Sequence, residues 1–170
     1  NGNFGRDTII GATSNNMSVL RGGADDDLIV INANSTHIAV GDLGKDEIRN
    51  FGTVRAVFRT DGNNAAQNIG DTDMIVGFDA TDTAYLPGIN SIADLTLTKV
   101  GANTYLSSNT FTNGTTGTRF IARFEDRTEA QVTGFLQGGS IIIGARADAA
   151  LAALTVDNFL NNPDLGGLFG

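Results

Sequence analysis

The sequence predicts an all-β protein of many short strands and tight turns, with one or two short helices near its C-terminal end. Glycine is abundant, with 22 residues, whereas only 2 residues are proline. Short apolar runs alternate with Asn, Asp, Gly and Thr, which is the pattern of strands that end in turns. A nine-residue motif also recurs in the first 50 residues. Such a repeat indicates coils of similar structure stacked on one another.

The three copies of this nonapeptide begin at Gly2, Gly22 and Gly41. Each copy has glycine at position 1, aspartate at position 6 and isoleucine at position 8. The position-6 residues are Asp7, Asp27 and Asp46, which are 20 and then 19 residues apart, whereas two nonapeptides would span 18. The segments between the copies lack aspartate. The motif therefore recurs once per two repeats, as expected if each coil of a solenoid has two turns and only one side keeps the motif.

The second copy contains three consecutive acidic residues, Asp25, Asp26 and Asp27. Adjacent carboxylates repel one another, so the cluster either lies in water as a solvated turn or neutralises a bound cation. The in-phase aspartates of the other two copies favour a cation. We expect Asp27 at position 6 to be the ligand and Asp26 at position 5 to point into solvent.

The nonapeptides resemble the calcium-binding repeat G-G-x-G-x-D-x-U-x of RTX, or haemolysin-type, proteins. The resemblance implies a right-handed parallel β-roll, in which each nonapeptide gives a six-residue turn and a three-residue strand whose U side chain points inward. It also implies Ca²⁺ between turns stacked on one side, bound by backbone carbonyls and the position-6 aspartates. The residues that it assigns to calcium are Gly2, Phe4, Asp7, Gly22, Ala24, Asp25, Asp27, Gly41, Leu43, Asp46 and Asp73.

The chemistry of these residues agrees with calcium. The ion takes six to eight oxygen ligands in flexible geometry. Glycine tolerates positive φ, which lets the backbone bend so that carbonyl groups face one point. Three positions depart from the repeat, since Asn3, Asp42 and Asp25 stand where glycine is usual. These residues fit the turns if they adopt left-handed conformations, which Asn and Asp do more readily than most residues.

Residues 68–90 resemble the segment that closes the roll in RTX-type secreted proteins. The matching residues are Asp73, Ile75, Phe78, Asp82 and Leu86. Because 27 residues separate Asp46 from Asp73, the sequence leaves open on which side of the roll Asp73 lies. We therefore expect a calcium-binding β-roll in residues 1–90 and a β-rich cap in residues 91–170. The cap contains candidate strands at 93–100, 103–108, 119–124 and 140–144, and candidate helices at 126–136 and 146–160.

Composition excludes several classes of function. The net charge of −8 and the pI of about 4.4 argue against nucleic acid and anionic membranes as partners. No apolar stretch approaches the roughly 20 residues of a membrane span. The chain has no cysteine for disulfides or zinc, and its single histidine, His37, is expected to be an ordinary turn or strand-edge residue. No catalytic motif is present, so we do not expect an enzyme.

Together these features predict a calcium-folded C-terminal module of a secreted bacterial RTX-type protein, located outside the cell or at its surface. The resemblance implies export by type I secretion machinery, with an uncleaved signal for which residues 158–170 are the candidate. Two alternatives remain open at this point. The first is a structural subunit that self-associates into a cell-surface layer or fibre, and the second is the non-catalytic tail of a secreted hydrolase.

Overall fold

The computed structural model describes residues 1–13, 17–60 and 64–158, with side chains described as far as Leu154. Most of this part of the chain is in strands and connecting turns, as the sequence predicts. The elements are β1 (Asn3–Phe4), β2 (Thr8–Ile10), β3 (Val19–Ala24), β4 (Leu28–Ile31), β5 (Thr36–Leu43), β6 (Glu47–Asn50), β7 (Thr53–Val57), β8 (Met74–Val76), β9 (Thr83–Leu86), β10 (Leu95–Val100), β11 (Asn103–Thr110), β12 (Thr116–Phe124), α1 (Glu129–Gly138), β13 (Ile141–Ile143) and α2 (Gly144–Asn158).

The strands form two sheets, and the chain alternates between them from β1 to β9. The first sheet has the order β1-β3-β5-β7-β9-β13, and the second has the order β10-β11-β12-β8-β6-β4-β2. All pairs among β1 to β9 are parallel. One strand in each sheet makes one coil, so equivalent residues of successive coils lie directly beside one another.

An isoleucine ladder fills the space between the two sheets. Ile9, Ile29, Ile48 and Ile75 are neighbours in register on β2, β4, β6 and β8. The last three are at most 1% exposed, which confirms the expected inward position of the nonapeptide isoleucine. Each buried side chain of this size contributes about 1.5–3 kcal/mol of hydrophobic free energy. The regular spacing of the motif thus places these isoleucines side by side in one continuous core.

The residues after Leu86 are joined to the coils through both sheets. Strand β12 pairs in parallel with β8 and antiparallel with β11, while β13 pairs in parallel with β9. The Phe78 ring contacts Phe124 of β12 and Phe135 of α1, each with 5.2 Å between ring centroids. The C-terminal strands therefore share one hydrophobic core with the coils, and a domain boundary at residue 90 stays a prediction.

Both predicted helices are present. Thr128 and Gln131 form the expected capping box at the start of α1, which ends at Gly139 with φ of 83°. Helix α2 covers the outer face of the first sheet, where Ala147 and Leu151 join a second apolar cluster. Residues 159–170, which include the end of the predicted second helix and most of the candidate secretion signal, lie outside the described residues. No helix in the described ranges is long and apolar enough to cross a membrane.

The turn residues that replace glycine adopt the conformation that the repeat demands. Asn3 and Asp42, both at position 2, have φ of 73° and 72°, and Asp25 at position 4 has φ of 78°. Left-handed backbone is accessible to Asn and Asp at modest cost. The expectation from the sequence is confirmed, because these residues take the positive φ that glycine takes at the same positions of the other copies.

The expectation for His37 was wrong. This residue lies in β5, between β3 and β7, and its side chain is fully buried. Its Nδ1 atom accepts a hydrogen bond from the Ser18 N–H at 3.2 Å, and its Nε2 atom lies 2.9 Å from the Ala12 carbonyl oxygen. Gly11 leaves room for the ring, because a Cβ atom there would lie 2.5 Å from His37 Cδ2. A glycine 26 positions away in sequence thus creates the space for the buried His37 ring.

Candidate metal centre

Four aspartates stack at the connections from the first sheet to the second. Asp7, Asp27 and Asp46 immediately precede β2, β4 and β6, and Asp73 immediately precedes β8. We call these four residues the aspartate ladder. The structure places Asp73 on the same side as the others, a point that the interval of 27 residues left open. The ladder therefore continues through a fourth turn.

Hydrogen bonds connect each rung to the next. The backbone N–H of Asp7 donates to Asp27 Oδ1 at 2.7 Å, and the N–H of Asp27 donates to Asp46 Oδ1 at 2.9 Å. The N–H of Asp46 donates to Asp73 at 2.9 Å in the same way. Hydrogen bonds to a charged acceptor contribute about 1.5–3 kcal/mol each. One oxygen of each of these three carboxylates is therefore satisfied by the preceding coil.

The Oδ2 oxygens of the first three rungs have no such partner. The Oδ2 atoms of Asp7, Asp27 and Asp46 are buried and accept no hydrogen bond. Buried polar atoms are almost always paired, and leaving one unpaired costs about 1–3 kcal/mol, or more when it is charged. The same atom is orphaned at the same motif position three times. A positive charge between the turns would satisfy all three oxygens.

The glycine at position 1 forms the floor of this space. A Cβ atom at Gly2 would lie 2.4 Å from Asp7 Oδ2 and 2.3 Å from the Gly22 carbonyl oxygen. At Gly22 the corresponding distances to Asp27 Oδ2 and the Gly41 carbonyl oxygen are both 2.5 Å. Any side chain would collide with these oxygens. Each glycine thus leaves a gap toward which a carboxylate oxygen and a carbonyl oxygen of the following turn converge.

Burial raises the pKa of carboxylates in the ladder. Desolvation, followed by repulsion from Asp46, raises the pKa of Asp73 to about 8, although its hydrogen bond from Asp46 acts in the opposite direction. Desolvation likewise raises the pKa of Asp46 to about 6 and shifts the pKa of Asp27 upward. A divalent cation would favour the charged form of all three groups.

The other two acidic residues of the cluster bind neighbouring turns. Asp25 Oδ2 accepts a hydrogen bond from Gly5 N–H at 3.0 Å, and Asp26 Oδ1 accepts one from Lys45 N–H at 3.1 Å. Both side chains are exposed, which confirms the expectation that Asp26 points toward solvent. The hydrogen bonds were not foreseen. Each joins residues at the same motif position in adjacent copies, so the alignment of the copies contains the signal.

The remaining predicted site residues lie on the same turns. Phe4, Ala24 and Leu43, all at position 3, are register partners in the first sheet. Their side chains contain no oxygen, so they would bring only backbone carbonyl groups, and the side chains of Phe4 and Leu43 are exposed. Across the described ranges, no three histidine, aspartate or glutamate side chains gather to hold a metal. A cation between these turns would therefore depend on backbone carbonyls for most of its ligands.

Asp82 shows what a buried carboxylate looks like when it needs no cation. It lies at the opposite connection, from β8 to β9, and is 2% exposed. Its Oδ1 atom accepts the Val54 N–H at 2.9 Å, and its Oδ2 atom accepts the Asp79 N–H at 2.8 Å. Asn50 Nδ2 lies 3.0 Å from both oxygens. Neutral donors satisfy this carboxylate completely, in contrast to the ladder.

The described chain is thus a mainly β protein whose parallel strands stack four aspartate turns on one side. It matches no known protein family and no curated protein. Among solved structures, it is similar to the solution structure of the AlgE6R3 subunit from the Azotobacter vinelandii mannuronan C5-epimerase. The TM-score is 0.48 at 22% sequence identity, and the likeness covers 71% of this chain and 70% of that one. A likeness at this TM-score adds nothing to the fold, which rests on the strand pairing.

Proposed function

We propose that this chain is a calcium-binding module of the RTX type, whose coils form a right-handed β-roll that folds when calcium binds between stacked turns. The observation that carries the proposal is the buried Oδ2 atom without a partner, repeated at Asp7, Asp27 and Asp46. Three equivalent orphaned carboxylate oxygens in one stack favour positive charge between the turns. A cation between the turns would supply the partner that these oxygens lack.

The donor set fits calcium. Between the first and second turns, Asp7 and the Gly22 carbonyl group would contribute oxygen ligands, and between the second and third turns Asp27 and the Gly41 carbonyl group would do so. Calcium accepts such mixed carboxylate and carbonyl sets, whereas magnesium demands near-ideal octahedral geometry. When bound, the ion supplies positive charge between the carboxylates.

Calcium binding would be coupled to folding. Asp27 and Asp46 are buried on adjacent turns, so their charged forms oppose folding until a cation neutralises them. A ligand that binds only the folded state adds about 2.7 kcal/mol of stability at a hundredfold excess over Kd. Extracellular calcium modules bind with Kd of about 10⁻⁴–10⁻³ M. The module would therefore stay open in a calcium-poor cytosol and fold outside the cell.

This behaviour suits the C-terminal part of a secreted protein. We place the module outside the cell or at its surface, exported by type I secretion and without a catalytic role of its own. The charge of −8 supports calcium, rather than nucleic acid or an anionic membrane, as the partner. Self-association at the cell surface is the alternative outcome, and it would appear as calcium-dependent assembly.

Circular dichroism and thermal unfolding of the chain in chelator, in calcium and in magnesium test the proposal. We expect strand content and melting temperature to rise with calcium and much less with magnesium. Asp82→Asn serves as the matched control, because it removes a buried carboxylate that has only protein donors. Its loss of stability should be the same with and without calcium. Unchanged melting of the parent chain upon calcium addition would refute the proposal.

A further inference from the structure

The fourth turn differs from the three nonapeptide turns. Asn68 stands at position 1, where the other turns have glycine, and Ile69–Asp71 forms a short 3₁₀ helix. The Asn68 side chain is exposed and donates to Asp71 Oδ2 at 3.0 Å, so this turn lacks the open glycine floor of the other three. The residues of this turn do not reproduce the geometry that makes the first three turns fit calcium.

The interval between the third and fourth turns differs from the earlier two at its position-1 glycine. At Gly2 and Gly22, the atoms nearest to an added Cβ include the carbonyl oxygen of the following turn. At Gly41, the three nearest atoms all belong to Asp46, with Oδ2 at 2.2 Å. Asp46 Oδ2 is buried and has no hydrogen-bond partner, and no carbonyl oxygen comes as close to the Gly41 floor as in the earlier intervals. The arrangement at Gly2 and Gly22 is therefore not repeated closely at Gly41.

An arginine faces this interval. Arg59 lines a cavity of about 330 Å³ together with Asp26, Lys45, Asp71 and Asp73. Its Nη1 atom is buried and has no hydrogen-bond partner, and within the described part of the chain no carboxylate lies within ion-pair distance of it. A guanidinium group keeps its charge at every physiological pH. A permanent positive charge therefore faces Asp73 across the cavity.

We propose that Arg59 is the internal counter-cation of the interval between Asp46 and Asp73, and that calcium occupies only the two intervals between the first three turns. This inference rests on the proposed function, and it removes Asp73 from the calcium ligands that the resemblance assigns. The positive charge of Arg59 lowers the pKa of both Asp46 and Asp73 against the larger effect of burial. A calcium ion in the same interval would be repelled by this charge.

The arrangement has a consequence for folding. The C-terminal end of the ladder lies beside β8, which pairs with β12 of the C-terminal strands. With its own cation, this end can form before calcium arrives. Calcium is then needed only for the coils that carry the nonapeptides.

Isothermal titration calorimetry of the parent chain and three variants tests the inference. Arg59→Gln removes the charge, Arg59→Lys keeps it, and Arg55→Gln is the matched control on β7, outside the cavity. We expect about two calcium ions per parent chain and about three for Arg59→Gln, because the vacated interval then accepts a cation. The calcium-free form of Arg59→Gln should also melt lower than the parent, while Arg59→Lys and Arg55→Gln should bind the same number of ions as the parent.

The outcomes separate this inference from the proposed function. A parent chain that binds no calcium overturns the proposed function and, with it, the inference. A parent chain that binds three ions overturns the inference alone, and this measurement does not depend on any variant being folded. Equal stoichiometry and equal calcium-free melting of Arg59→Gln and Arg55→Gln would also overturn it.

Discussion

Replacing Asp27 with asparagine tests the stacked-turn geometry most directly. Asp27 belongs to the middle turn, so its two oxygens face two intervals. Oδ1 accepts the N–H of Asp7 in the preceding turn, and Oδ2 lies with the Gly41 carbonyl oxygen in the following interval. Asparagine keeps the shape of the side chain and an oxygen for the Asp7 N–H. The substitution therefore removes charge with little change in packing.

The energy of one charge-assisted contact sets the size of the expected effect. A charge-assisted contact contributes about 1.5–3 kcal/mol. Loss of the Asp27 charge should therefore weaken calcium binding in each of two intervals by about ten- to 150-fold. Asp7 and Asp46 each border one calcium interval if Arg59 neutralises the last one. Asp7→Asn and Asp46→Asn should then weaken one site directly and the other only slightly.

Calorimetric calcium titrations at low ionic strength measure both affinity and stoichiometry for these variants. Asp26→Asn is the matched control, because it removes the adjacent charge from an exposed side chain that bonds Lys45 N–H. We expect the control to change affinity by less than about threefold, since exposed charges interact weakly through water. The stacked-turn geometry would be refuted if Asp27→Asn bound calcium as tightly as Asp26→Asn. An outer variant that lost more binding than Asp27→Asn would refute it equally.

Two further predictions follow from the same geometry. Gly22→Ala should destabilise the calcium-loaded protein by about 1–3 kcal/mol or more, because its Cβ atom would lie 2.5 Å from Asp27 Oδ2. The control is Gly134→Ala in α1, where nothing lies within 4 Å, and it should be neutral or stabilising in the same melting experiment. Equal melting of the two variants would contradict the role of Gly22 as the floor of the site. Without calcium, the protein should be more stable in acid, because the pKa of Asp46 is raised from 3.8 to about 6 in the folded state. This contribution, about 3 kcal/mol, is fully present below about pH 4 and is lost as the pH rises through about 6, so a calcium-free melting temperature that rises between about pH 4 and 7 would contradict it.

Much of the fold could be predicted from the sequence because the motif is local. Glycine at position 1 and aspartate at position 6 define one turn within six residues, and Thr128 with Gln131 defines a helix start within four. The isoleucine at position 8 follows the turn directly into the core. For these features, neighbouring residues contain all of the necessary information.

Other features depend on residues far apart in the chain. His37 is buried because Gly11 leaves space beside it, and no local pattern at either residue indicates this. Asp73 continues the ladder although the segment before it is longer than the other connections. Arg59 lies in that same long connection and lines one cavity with Asp73. Loop length hides register from the sequence, since an insertion can extend a connection without changing the strands that it joins.

The sequence by itself determined where the turns, the inward isoleucines and the acidic rungs occur, because each follows from the conformational preferences of a few adjacent residues. Only the tertiary structure decided which carboxylate oxygens are left without a partner. The donor for Asp27 comes from a coil 20 residues away, and the donors for Asp82 include one 28 residues away. Hydrogen-bond satisfaction is a property of stacked coils, so two buried aspartates that look alike in the sequence differ in their need for a cation.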